Sequence, residues 1–320
     1  MAATSECGFV TSDVRLEAFF FLEGNTVSNN FFRSFLVVLG TFIAFAYPNP
    51  ALAADESAPG LFLEVEDGKI YYEECGTGPD AVVQIHDGIA HSAVWDGVWP
   101  AFCKEFHTVR YDRRGYGRSP AATSWYYETD DLYTLLRHLK ISRAFLVGSS
   151  HGGELTIDFT LAHPKLVEGM VLIGAVVSGY GYSDHFLNRG IANNKPMEKN
   201  DTAGMISNWA NDKYLLAADH PEAKKKLHDI LSAAPQDLNH PDFPRPTPDS
   251  LPRLNEIRVP TLILVGDADI PDVHSHAGVI EAGIPNSRRI IVEDTGHLMY
   301  LEKPEEFSRL VITFIKANRD

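Results

Sequence analysis

Residues 144–153 read Ala144-Phe-Leu-Val-Gly148-Ser149-Ser150-His151-Gly152-Gly153. Ala144–Val147 is an apolar run of strand length, and Gly152–His163 has helical character that stops before Pro164. Between them lies G-x-S-x-G. A strand turning this sharply into a helix holds its central serine at strained backbone angles, and glycines two residues to either side remove the clashes. Ser150 is therefore expected to raise its hydroxyl at the edge of a sheet. The N–H of His151, at a helix N-terminus, is expected to face negative charge as an oxyanion donor. Ser149 is the rival nucleophile, without the symmetric glycine flanks. The bland alternative is a tight turn that happens to carry a serine.

Working outward, the same alternation of strand and helix recurs. Strand-length runs occupy Leu61–Glu66, Lys69–Glu74, Ala81–His86, Thr108–Tyr111, Met170–Ile173, Thr261–Val265 and Arg289–Val292, making eight with Ala144–Val147. The first two are joined at Asp67-Gly68, a hairpin signal. Helical spacing covers Trp95–Phe106, Tyr127–Leu139 and Pro304–Ala317. Strands apolar along their whole length, separated by helices, predict a mostly parallel sheet covered on both faces. The buried-strand pattern stops at residue 177. Residues 178–258 are more polar, with helical pieces at 184–193, 202–218 and 221–233 and a proline-rich stretch at 235–252. Such a segment is too long for a connecting loop. It is expected to form a helical cap inserted after the sixth strand, between core halves at 54–177 and 259–320.

A serine hydroxyl needs an adjacent base. The chain has 13 histidines, so position must choose among them. His297 follows the last strand and precedes the final helix, where a loop can reach Ser150; the bland alternative is a surface-loop histidine. Asp269, just past the strand Thr261–Val265, is the expected acid, with Asp267 and Asp272 as rivals. The order Ser150, Asp269, His297 is the one expected when a nucleophile elbow comes first. A second oxyanion donor is expected after His86, in Asp87-Gly88-Ile89. Gly88 lets the backbone approach a substrate closely, and Ile89 is the alternative.

Four segments together resemble the α/β-hydrolase fold superfamily, over about Leu61 to the C-terminus. They are the elbow Gly148–Gly153, the run Tyr111-Asp-Arg-Arg-Gly-Tyr-Gly-Arg-Ser119, the acid segment Val265–Asp272, and Gly296-His-Leu-Met-Tyr-Leu-Glu-Lys-Pro-Glu-Glu-Phe307. The last two look most like the enol-lactonase and small-ester carboxylesterase branch. The resemblance implies an eight-stranded α/β-hydrolase sheet, a Ser–Asp–His triad, a helical cap, no cofactor, and a small ester or lactone as substrate. A C–C bond hydrolase or lyase on the same triad, and a non-catalytic ligand-binding member, are the alternatives. Serine at the elbow argues against dehalogenase and epoxide hydrolase activities, which use aspartate there. One departure stands out: Asp87 occupies a position usually held by glycine, and a carboxylate beside an oxyanion would be unfavourable.

Composition narrows the rest. The mix of 44% hydrophobic and 22% charged residues is globular, and a formal net charge of −15 supplies no basic face for nucleic acid. Arg33, the apolar run Phe35–Tyr47 and Ala51-Leu52-Ala53 have the layout of a secretory signal at 31–53, with cleavage near Ala53. A run of 13 residues is short for a membrane-spanning helix, which needs about 20. The expected mature protein is thus periplasmic or secreted, with no stable membrane insertion after cleavage. Residues 1–30 are acidic where such a leader is usually basic, and translation is expected to begin near Val27. In an oxidising compartment Cys75 and Cys103 could form a disulfide, but the expectation is two separate buried thiols. His274 and His276, spaced His-x-His, are expected at the surface start of a helix rather than on a metal. Arg113, Arg114 and Arg118 are expected to be structural. Trp95, Trp125, Tyr182, Phe186, Met205, Trp209 and Met299 are candidates for an apolar pocket.

Overall fold

The computed structural model describes residues 61–319. Residues 1–30, with the translation start expected near Val27, and the expected signal segment at 31–53 lie outside them.

Eight strands form one sheet: β1 (Leu61–Val65), β2 (Gly68–Cys75), β3 (Ala81–Ile85), β4 (His107–Asp112), β5 (Ala144–Ser149), β6 (Val167–Ile173), β7 (Thr261–Gly266) and β8 (Ser287–Val292). Their spatial order is β1-β2-β4-β3-β5-β6-β7-β8. β2 runs antiparallel to both β1 and β4, and all later pairings are parallel. Every residue of β5 and β7 is buried, because helices cover both faces. One face carries α1 (Trp99–Glu105) and α9 (Pro304–Asn318); the other carries α2 (Glu128–His138), α3 (His151–Ala162) and α7 (Pro271–Gly283).

Between β6 and β7 the chain forms α4 (Asp184–Asn194), α5 (Thr202–Ala210) and α6 (Pro221–Ala233). Leu227 and Leu231 of α6 and Met205 of α5 join the same hydrophobic cluster as Trp95 and Phe307. α8 (Met299–Glu302) is a single turn before α9.

Several local expectations are corrected. The hairpin turn falls one residue early: Val65 pairs with Gly68, so Glu66 and Asp67 make the loop, and Asp67 takes the left-handed conformation at φ 53°. β8 is an edge strand, not a fully buried one, and leaves Ile291 51% exposed. The helix expected over 202–218 ends at Ala210. Asp212 ends it, because its carboxylate accepts the N–H groups of Tyr214 and Leu215 while also binding Arg189 and Asn193. The two cysteines are not separate thiols. The last residue of β2 and the side of α1 lie within disulfide reach, with a Cα–Cα distance of 5.2 Å, and Cys75 and Cys103 are joined.

Candidate active site

The elbow is built as its glycines require. Ser150 sits at φ 53° and ψ −116° between β5 and α3. A Cβ on Gly148 would lie 2.3 Å from the Gly152 carbonyl oxygen and from Thr156 Oγ1. A Cβ on Gly152 would lie 2.4 Å from the His86 carbonyl oxygen. No side chain fits at either place. The strained turn is held by the Ser150 N–H, which donates to the Ile173 carbonyl at the end of β6 at 2.8 Å.

His297 and Asp269 meet at the residue after Ile173, while the Ser150 hydroxyl has no hydrogen-bond partner among the described residues. Against Gly174 lie the His297 ring (Nδ1 2.7 Å from where a Cβ would stand) and Asp269 Oδ2 (3.2 Å). His297 Nδ1 and Asp269 Oδ2 are 2.7 Å apart, and both side chains are almost wholly buried. Asp269 Oδ1 accepts the N–H of Ile270, which fixes the carboxylate's orientation. Burial disfavours an imidazolium at His297, but the Asp269 carboxylate outweighs it, and the net shift of its pKa is upward from 6.5. The loop carrying His297 rests on the inserted segment: the His297 and Leu298 N–H groups donate to the Tyr214 and Leu215 carbonyls.

The rival residues have other partners. Ser149 is fully buried, with its hydroxyl 3.1 Å from the Tyr300 hydroxyl. Asp267 accepts the Thr295 N–H, and Asp272 accepts both the N–H and the hydroxyl of Ser183.

In the loop after β3, Asp87 turns its carboxylate inward. Oδ1 accepts the Ile89 and Ala90 N–H groups at 2.6 and 3.0 Å, and Oδ2 accepts the Tyr300 hydroxyl. Ile89, the alternative donor, is therefore committed. The N–H groups of Gly88 and His151 have no acceptor among the described residues. The two residues are neighbours: a Cβ on Gly88 would stand 3.7 Å from that of His151.

Four side chains around this loop were missed as participants by sequence reasoning. His86 Nδ1 donates to the Asp87 carbonyl and its Nε2 accepts the Arg113 N–H, so one neutral tautomer is fixed. Burial, aided by Arg113, holds its pKa well below 6.5. Arg113 bridges the Asp87 carbonyl and Glu128. Glu128 in turn meets His151 Nε2 at 2.8 Å, and Glu154 meets His151 Nδ1 at 3.2 Å. Burial opposes charge on His151, but the two carboxylates, Glu128 foremost, push its pKa up to about 10. The only sequence signal was Arg113's place in the Tyr111–Ser119 run.

The aromatic and methionine candidates scatter. Trp95, Met205 and Met299 are core, and Trp125 is 60% exposed. Tyr182 stacks on Phe186 and lies beside His276. Trp209 lies under the Arg189 guanidinium, whose Nη2 is buried with no hydrogen-bond partner among the described residues. His276 is fully buried rather than at the surface, and its Nδ1 accepts the Val177 N–H.

A family model of the alpha/beta hydrolase fold matches residues 80–304. The chain belongs to that family and is a hydrolase of the α/β fold. It is 28% identical over 279 residues to a 2-hydroxy-6-oxononadienedioate/2-hydroxy-6-oxononatrienedioate hydrolase of Klebsiella pneumoniae, covering 81% of this chain and 96% of that one. Among solved structures it is similar to an esterase from Exiguobacterium antarcticum, at 25% identity and a TM-score of 0.67, over 81% of this chain and 100% of that chain. It shares its fold with an N-acyl homoserine lactone degrading enzyme, at 24% identity and a TM-score of 0.63, over 79% and 100% of the two chains.

Proposed function

We propose that this chain is a serine hydrolase that cleaves a small carboxylic ester or lactone through an acyl-enzyme. The observation that carries the reading is the buried His297–Asp269 pair packed against Gly174, next to the residue that anchors the strained Ser150. His297 takes the Ser150 proton as the hydroxyl oxygen attacks the carbonyl carbon. The Gly88 and His151 N–H groups receive the oxyanion, His297 protonates the leaving oxygen, and water then repeats the sequence to release the acid. Asp269 holds the imidazole in the tautomer that leaves Nε2 free to accept, and stabilises the cation that forms. The 178–258 insertion serves as a cap over this edge, a reading supported by its bonds to the His297 loop. Ser150→Ala should abolish p-nitrophenyl butyrate hydrolysis and fluorophosphonate labelling while leaving the thermal melt unchanged. A variant that keeps most of its turnover overturns the assignment.

A second reading, C–C bond hydrolysis of a carboxylate-bearing substrate, is favoured by one observation. Arg189 of the insertion has an uncommitted Nη2 and is near enough to lower the His297 pKa, and the Klebsiella relative acts on a dicarboxylate. Turnover of neutral p-nitrophenyl esters against 2-hydroxy-6-oxo acids separates the two. We also infer export to an oxidising compartment, a reading supported by the Cys75–Cys103 disulfide. N-terminal sequencing of the native protein should begin near Ala54, and a peptide from residues 1–26 would contradict translation starting near Val27.

A further inference from the structure

We propose that Arg113 is a positioning residue for the oxyanion hole: it sets the direction of the Gly88 N–H by holding the other end of the same peptide unit. The inference rests on the acyl-transfer reading above. A trans peptide is planar, so its C=O and N–H point in opposite directions. The carbonyl of the Asp87–Gly88 unit is held by two donors, His86 Nδ1 at 2.8 Å and Arg113 Nη2 at 2.7 Å. With that oxygen pinned toward the protein, the Gly88 N–H is aimed the opposite way. The next carbonyl, that of Gly88, is held by the Tyr116 hydroxyl at 3.1 Å. The next two N–H groups, of Ile89 and Ala90, are taken by Asp87 Oδ1. Of these three consecutive N–H groups, that of Gly88 alone has no acceptor among the described residues.

The hold reaches the other donor as well. Arg113 Nη1 bonds Glu128 Oε1 at 2.7 Å, and Glu128 Oε2 meets the ring of His151 at 2.8 Å. His151 is the residue whose own N–H is the first oxyanion donor. One mostly covered carboxylate therefore ties together the two residues that must face one oxygen atom. The Arg113 side chain is almost wholly buried, and its guanidinium lies 4.6 Å over the Tyr116 ring, so it has little freedom to move. A lysine would keep the positive charge but not the planar fork that spans Asp87 and Glu128.

The test pairs turnover with a signal read without substrate. Asp-Gly occurs three times, at 67–68, 87–88 and 96–97. Protein labelled with carbonyl-13C aspartate and 15N glycine therefore shows three correlated amide signals, with Gly68 and Gly97 as internal controls. In Arg113→Lys the Gly88 signal should shift or broaden while the other two stay. The kcat for p-nitrophenyl butyrate should fall about tenfold to a hundredfold with KM within about threefold, short of the ~10²–10³ lost when an oxyanion donor is removed outright. Glu128→Gln, the same shape without the charge, should move both readouts in the same direction by less and serves if Arg113→Lys does not fold. A folded variant with an unmoved Gly88 signal, or a moved signal with unchanged kcat, overturns the proposal. Failure of the hydrolase reading shows separately, as absent fluorophosphonate labelling of Ser150 in the wild-type protein. The Gly88 signal then still upholds or overturns the hold on the peptide.

Discussion

Replacing Asp269 by Asn should have two separable consequences. The carboxylate has one oxygen 2.7 Å from His297 Nδ1 and the other on the Ile270 N–H. Asparagine preserves the shape, and its carbonyl is best spent on the Ile270 N–H. Its NH2 group then faces Nδ1, which must become an acceptor, so the proton moves to Nε2, where the proposed mechanism requires the Ser150 proton to be received. A wrong tautomer of this kind costs about 10⁴ in kcat in a comparable triad, or about 5.4 kcal/mol. The second consequence is a shift on the pH axis. Only neutral His297 can act as a base, so in the wild-type protein kcat/KM should fall as pH drops through a value above 6.5, because the net shift of His297 is upward. Burial and Arg189 pull that pKa down, and Asp269 is the main cause raising it. Asp269→Asn should therefore lower the plateau and move the acid limb to lower pH. Steady-state rates with p-nitrophenyl butyrate from pH 5 to 9 read both. No neighbour can substitute, since Asp267 and Asp272 are bound to Thr295 and Ser183. A plateau within tenfold of wild type with an unmoved limb would refute the assignment of Asp269.

Three further outcomes concern the frame. The disulfide closes a loop with a sequence separation of 28; its removal by Cys75→Ser with Cys103→Ser should cost about 3.5 kcal/mol on chain-entropy grounds, or about 7–14 °C in Tm. A melt that is the same for the double variant and the wild type contradicts this. Asp87→Ala leaves two loop N–H groups and the Tyr300 hydroxyl without their acceptor, and should lower stability by about 2 kcal/mol or more in urea unfolding. Gly148→Ala puts a methyl group 2.3 Å from backbone oxygen; soluble, fully active protein from that variant would mean the turn is not built as described.

The sheet was legible because its strands carry their own evidence. β5 and β7 are buried on both faces, so their sequences are apolar throughout, and the elbow announces itself by glycines that nothing else can replace. The residues Ser150, Asp269 and His297 could be singled out because each sits just beyond a strand. What could not be read depends on partners distant in sequence. The end of α5 at Ala210 is set by Asp212, which answers to Arg189 and Asn193. The pairing of Cys75 with Cys103 needs β2 and α1 side by side. The exposure of β8 follows from its being last in the sheet, a property of strand order and not of composition. Likewise Arg113 and Glu128 look like any surface ion pair until the loop after β3 folds over them.

The carbonyls of Tyr214 and Leu215 belong to the insertion, yet they support the main chain of His297 and Leu298, and Leu215 O would lie 2.7 Å from a Cβ on Gly296. If the insertion caps the site as proposed, the cap and the proposed base share one main-chain support. On the proposed reading of the insertion as a cap, any displacement that lifted residues 214–215 would also move the main chain that carries the proposed base, so opening and reaction would exclude one another. Selection for bulkier substrates through this segment would then be felt first as a slower chemical step, and compensating changes would be sought in the 296–298 loop.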